Sequence, residues 1–191
     1  QYSLEDTFIK AVRLARNFCH QTAITCGLDQ TRGEVVVILD ADLQDPPELI
    51  PDMIKDWREG YDVVYGQRKV RHGESFAKKF FAFAFYRTFE RIAGLKVPRD
   101  TGDFRLMDRR VVEALKQLPE RTRFMKGLFA WVGFRQAAVH YERTARRHGS
   151  SGWNYWKLWN FALDGITSFS HVPLKILSGS GLLFASVALL Y

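Results

Sequence analysis

Apolar positions along the chain follow two periods. Val35–Leu39 is an unbroken apolar run with four β-branched residues. Such a run reads as a buried strand of the kind found in parallel sheets. Leu49, Ile50, Met53, Ile54 and Trp57 then share one side of a 3.6-residue repeat, which predicts an amphipathic helix over Leu49–Glu59, stopped by Gly60. Tyr61–Tyr65 reads as a second buried strand, ending at Gly66-Gln67-Arg68. Strand, helix and strand in that order predict the βαβ unit of a parallel sheet. Upstream, Phe8–Ala15 alternates and reads as a strand broken by Asn17. His20–Thr31 reads as a helix with Ala23, Ile24, Gly27 and Leu28 inward, ended by Gly33.

Downstream, Phe76–Ile92 predicts a long helix with Phe76, Phe80, Phe81, Phe83, Phe85 and Phe89 around nearly its whole circumference. Core packing is the default reading of such a helix, and lipid contact the alternative. A strand is expected at Asp103–Met107, helices at Arg109–Lys116 and Phe124–Val132, and a strand at Gln136–Tyr141. Trp153, Trp156 and Trp159 recur every third residue in Trp153–Phe169, with Lys157 among them. That pattern, directly before an apolar run, predicts a helix lying at a membrane interface. Ile176–Tyr191 has no charged residue but is shorter than the roughly 20 residues a spanning helix needs. It reads as the start of a transmembrane helix. Because the chain begins with Gln and stops inside that run, a chain cut at both ends is the expectation.

Composition adds less. The chain has 191 residues and a net charge of +7, with much of the excess in Arg68–Arg71, Lys78-Lys79 and Arg143–Arg147. Length is enough for one real core, and local basic patches suit phosphates or anionic lipid. No nucleic-acid motif is present, and no nucleic-acid partner is expected. Cys19 and Cys26 have neither zinc nor redox spacing and are expected to be reduced.

The central strand runs straight into Asp40-Ala41-Asp42-Leu43-Gln44-Asp45-Pro46-Pro47. Ligands in open α/β sheets bind beyond the carboxyl ends of strands. Two carboxylates one residue apart can place hard oxygens near one divalent cation, whose other oxygens a nucleotide diphosphate would supply. Asp45 is expected to cap the next helix, with Pro46 and Pro47 in its first turn and Glu48 near its positive end. A strand ending in Asp-x-Asp also opens the haloacid-dehalogenase-like phosphatases. Those usually carry Thr or Val where this chain has Gln44.

The metal loop, the Gly66-Gln67-Arg68 strand end and Thr101-Gly102-Asp103-Phe104-Arg105-Leu106 together resemble the family 2 polyprenyl-phosphate glycosyltransferases of GT-A fold. That group includes dolichol-phosphate mannose synthases and undecaprenyl-phosphate glucosyltransferases. Arg16-Asn17-Phe18-x-His20-Gln21 also matches, with Cys19 where relatives usually have Gly. Arg146-x-x-Gly149-x-Ser151 matches an Arg-x-x-Gly-x-Ser-Lys loop, with Gly152 in place of the Lys. The initial strand and loop that hold the base and ribose in relatives have no counterpart here.

The resemblance implies an α/β, Rossmann-like, mostly parallel sheet flanked by helices. Residues 1–152 would form the catalytic domain, 153–171 the interface helix and 172–191 the start of the transmembrane helix. It implies a single transfer of sugar from a UDP- or GDP-sugar to a polyprenyl phosphate, on the cytoplasmic face of the inner membrane. Homo-oligomerisation stays open. Mg²⁺ or Mn²⁺ would be held by Asp42 and Gln44, with Asp40 in the ribose or metal shell. Arg68, Lys78, Arg105, Arg146 and Ser151 would bind the acceptor phosphate and donor diphosphate. Asp103 would be the catalytic carboxylate, or else paired with Arg105 or Arg99. The acceptor oxygen is already anionic, so no strong base is required. His20 is expected to pack or cap, and His148 and His171 to be loop and interface residues. A phosphatase and an inactive membrane-anchored scaffold are the alternatives.

Overall fold

A computed structural model describes residues 8–42, 44–69, 76–98, 101–118, 124–142 and 155–191, with backbone alone at 76–82, 84–85, 155–159 and 161–162. The elements run α1 (Cys19–Gln30), β1 (Val35–Ile38), a 3₁₀ turn (Pro47–Leu49) leading into α2 (Ile50–Arg58), β2 (Val63–Arg68), α3 (Phe76–Ala93) and β3 (Thr101–Asp108). Then follow α4 (Arg109–Lys116), α5 (Met125–Trp131), β4 (Gln136–Tyr141), α6 (Tyr155–Phe169) and α7 (Val172–Leu190).

The sheet has four strands in the order β1-β3-β2-β4. β3 is antiparallel to both β1 and β2, and β2 is parallel to β4. Thus β1, β2 and β4 share one direction, as expected of a mostly parallel sheet. The expected βαβ pairing is corrected in one respect: β1 and β2 are not neighbours, because β3 lies between them. Phe104, Leu106 and Met107 are completely buried, the first two on one face and Met107 on the other. A strand that feeds both cores belongs in the interior of the sheet.

One face of the sheet packs Val36, Val63 and Met107 against Leu28 of α1, Val111, Val112 and Leu115 of α4, and Met125, Leu128 and Phe129 of α5. The other packs Val64, Phe104, Leu106 and Tyr141 against Met53 of α2, with Val35 and Val37 alongside. Covering both faces explains why β1 reads as an unbroken apolar run. Gly60 stops α2 at φ +97°, a conformation that favours glycine.

Two sequence expectations fail here. Residues 9–14 form no regular structure, and Phe8, Ile9 and Val12 are 94%, 46% and 53% exposed. Alternation alone makes no strand without a neighbour to pair with. In α1, Leu28 is buried and Ile24 partly so, but Ala23 and Gly27 face outward.

Of the α3 aromatics, Phe83 is half exposed and Phe89 is buried. The Phe89 ring meets Phe124 at 5.5 Å and Phe169 at 5.8 Å between centroids. Gly127 is the seat of Phe169: a Cβ there would lie 2.6 Å from its ring. This ties the end of α6 to α5. α7 follows, 19 residues long and apolar enough to cross a membrane, with none of its apolar stretch buried. At about 1.5 Å per residue it is about 28 Å long, close to the roughly 30 Å of a bilayer core. It starts before the uncharged run and takes in Lys175.

Candidate active site

The parallel strands β1, β2 and β4 end at one edge of the sheet, and the antiparallel β3 begins there. Four elements therefore deliver polar groups to the same place. Asp40 and Asp42 follow β1, Arg68 ends β2, Tyr141 ends β4, and Thr101-Gly102-Asp103 opens β3. The start of α1 adds His20.

His20 Nε2 lies 2.9 Å from Asp103 Oδ2 and 3.9 Å from Asp40 Oδ1. The expectation that His20 packs or caps is thus corrected: it pairs with Asp103, on which the charge of Arg105 also acts. Cys19, just before it, has φ 69°, the left-handed region that only glycine enters freely. That is a physical reason for Gly at this position. The Asp103 side chain is 12% exposed, and its Oδ1 is buried with no hydrogen-bond partner among the described residues. Burial opposes ionisation of Asp103 most strongly. The His20 hydrogen bond and the charges of Arg105 and Lys126 outweigh it and hold the carboxyl below its usual range. The same hydrogen bond raises the His20 pKa. Asp40 is pushed up, by burial first and then by Asp45, Asp103 and Asp42, with His20 opposing.

Asp42 Oδ1 accepts from the Gln44 backbone N–H at 3.2 Å, an Asx turn that fixes the loop. Gln44 is 7% exposed. Asp45 does not cap the next helix. Pro46 occupies the cap position with no side-chain hydrogen bond, while Asp45 is buried and accepts from the Tyr141 hydroxyl. Capping lost to a buried partner delivered from a distant strand, which local sequence does not show. Burial, then that bond, pushes the Tyr141 phenol up to about 12, with Arg68 beside it opposing.

Arg68 stands over Gly102: a Cβ on Gly102 would be 3.2 Å from its Nη2. Lys126 of α5 donates to the Thr101 carbonyl at 2.8 Å. Arg105 is only 3% exposed, so the expectation that it meets a substrate phosphate gives way to a role beneath the site. It donates to the Gly102 carbonyl at 2.9 Å, and its guanidinium lies 3.6 Å from the centre of the Phe129 ring. Burial lowers its pKa to about 10, leaving it charged at neutral pH. Arg146, Ser151, Trp153, Arg99 and His148 lie outside the described residues, and Lys78, Trp156 and Trp159 are described by backbone alone. His171 is at the cap position of α7.

Among the described residues no group of three or more His, Cys, Asp or Glu side chains is set to hold a metal ion. The donors nevertheless fit a divalent cation bound mainly through its ligand. Asp40 and Asp42 are hard oxygens, Asp40 resists ionisation among other carboxylates, and Asp103 Oδ1 has no partner among the described residues.

Sequence reasoning missed Tyr141, Lys126 and the site role of His20. Only His20 had a signal, its place in the Arg-Asn-Phe-x-His-Gln stretch.

An open α/β sheet with an Asp-x-Asp and an arginine at its carboxyl edge has its ligand site beyond those strand ends. Residues 1–116, more than half the chain, match the profile of Glycosyl transferase family 2. The chain belongs to that family. It is 56% identical to an uncharacterised glycosyltransferase of Synechocystis sp. over 96% of this chain and 58% of the relative. It is 44% identical to the bactoprenol glucosyl transferase of Shigella phage SfX over 99% of this chain and 62% of the relative. A prophage bactoprenol glucosyl transferase homolog of Escherichia coli K12 is 43% identical over the same shares. The chain spans about three fifths of the length of these curated relatives. Family membership displaces the phosphatase alternative.

Proposed function

We propose that this chain carries metal-, donor- and acceptor-binding residues of a site that transfers a hexose from a nucleotide diphosphate sugar to a polyprenyl phosphate. The relatives named for bactoprenol glucosyl transfer make glucose and undecaprenyl phosphate the first choice. The observation that carries the reading is the meeting of Asp40, Asp42 and Asp103 with Arg68 at one sheet edge.

Asp42 and Gln44, with Asp40 beside them, would hold Mg²⁺ or Mn²⁺. That ion supplies charge neutralisation on the diphosphate leaving group. Arg68 binds phosphate oxygens as a planar two-pronged donor. Lys78, Arg146 and Ser151 complete the anion contacts. The nucleophile is an acceptor phosphate oxygen, anionic at neutral pH, so the residues must mainly align two anions that repel each other. Asp103, ionised and held by His20, orients the sugar or acceptor rather than removing a proton. Arg105 and Lys126 fix the backbone of Thr101–Asp103 from below.

The polyprenyl chain leaves a bilayer at about 0.8 kcal/mol per CH₂, so the site must come to the head group. α7 crosses the membrane, and α6, with Trp156 and Trp159 and preceded by Trp153, lies along the cytoplasmic interface of the inner membrane. Lys157 and Lys175 on that side follow the positive-inside bias.

The test is transfer of labelled glucose from UDP-glucose to undecaprenyl phosphate in membranes holding the full protein. Label in the lipid phase is the expected result. Its absence with UDP- and GDP-hexoses alike, with Mn²⁺ present, contradicts the reading.

A further inference from the structure

Tyr141 belongs to none of the expected site residues, yet it joins both sides of the site. Its ring is packed edge-on against Phe104, with centroids 6.0 Å apart, and the residue is 5% exposed. A Cβ on Gly66 would lie 2.9 Å from that ring, so glycine is what lets the ring cross β2. At the end of the ring the hydroxyl donates to Asp45, itself 2% exposed. Register places Tyr141 opposite Arg68 in the parallel β2–β4 ladder, where the Arg68 charge opposes the rise of the phenol's pKa. Among the described residues Asp45 Oδ2 and Arg68 Nε, both buried, have no hydrogen-bond partner. Among the described residues the phenol thus supplies the one side-chain hydrogen bond that Asp45 receives, and it lies beside Arg68.

We infer that Tyr141 is a positioning residue that sets the spacing between the acidic loop and Arg68. Asp45 directly follows Gln44, whose backbone N–H is already tied to Asp42. Holding Asp45 therefore holds the backbone that carries Asp42. The same side chain bears on Arg68, so carboxylate and guanidinium are referenced to one rigid ring rather than to two loops. A bond this far from the substrate acts through what it orients, and outer-shell partners of metal ligands are typically worth about 10–100-fold in metal affinity or activity. The inference rests on the proposed function for its ligand, but not for its structural content.

The experiment is Tyr141→Phe in the full-length membrane protein, which keeps the ring and removes the hydroxyl. Two readouts are taken: amide hydrogen exchange over 40–47 and 66–69, and binding of UDP and of GDP with Mn²⁺. Expected are faster exchange in both segments together and affinity weaker by about tenfold in the folded protein. Asp45→Ala should give a similar loss, and the double variant no more than the larger single loss. Faster exchange around residue 141 alone, unchanged affinity, or additive losses overturns the inference. A purely packing role would lower the unfolding midpoint and leave binding of the folded protein unchanged. If wild type binds neither nucleotide, the functional reading fails while exchange still decides the positioning claim. If Tyr141→Phe does not fold, native-state exchange of wild type decides: both segments must open as one unit, and independent opening overturns the inference.

Discussion

His20 Nε2 and Asp103 Oδ2 are 2.9 Å apart, although 83 positions separate them in the chain. The contact raises the pKa of His20 and helps lower that of Asp103. A raised His20 pKa means the folded state binds more proton than the unfolded one above the unfolded value of about 6.5. Its stabilising contribution is full below that value and is lost as pH rises through the folded pKa. For Asp103 the contribution is present above about 3.9 and is lost as pH falls through its lowered folded value. Both partners are charged between the two folded values. The unfolding midpoint of wild type should fall between pH 6 and pH 8 by more than that of His20→Asn. Equal slopes for the two proteins contradict the pair.

Cys19→Gly should stabilise the protein. Cys19 has φ 69°, which costs a residue with a Cβ about 1–2 kcal/mol. Glycine gives back part of that through unfolded-chain entropy. A net gain of about 1 kcal/mol in denaturant unfolding is expected, and a loss would mean the backbone is not held there.

Arg105→Met should cost about 1–3 kcal/mol of stability, because the Gly102 carbonyl loses its donor and a polar group is left buried. Denaturant unfolding checks this. A variant as stable as wild type, with weakened phosphate binding alone, would restore Arg105 as a substrate contact.

Leu183→Lys should impair insertion of α7. Leu183 is 64% exposed on a helix whose apolar stretch is wholly unburied. A lysine near the centre of a spanning helix raises the apparent insertion free energy by about 2.5–3.5 kcal/mol. Carbonate extraction of membranes measures it, and unchanged retention would argue that this helix does not cross.

Much of the layering was legible from periodicity. α2, α4 and β4 follow from apolar spacing, since each buries one coherent face. Strand order was not legible, because a buried strand looks the same whether it runs up or down. The Asp-x-Asp was visible at once, its residues being adjacent. The rest of the site is built across strands. Asp45 looks like a cap until Tyr141 arrives from 96 residues away, and Arg105 looks like a free cation until Phe129 covers it. Such relationships exist only in the folded chain.

The central claim is that the carboxylates after β1 carry the chemistry. Asp42→Asn in the full-length protein, assayed in membranes with UDP-glucose, undecaprenyl phosphate and Mn²⁺, tests it most directly. The account predicts an intact fold with transfer reduced on the order of 10²-fold or more, and a milder loss for Gln44→Ala, whose neutral oxygen neutralises less charge. Near-normal turnover by the Asn variant would contradict it.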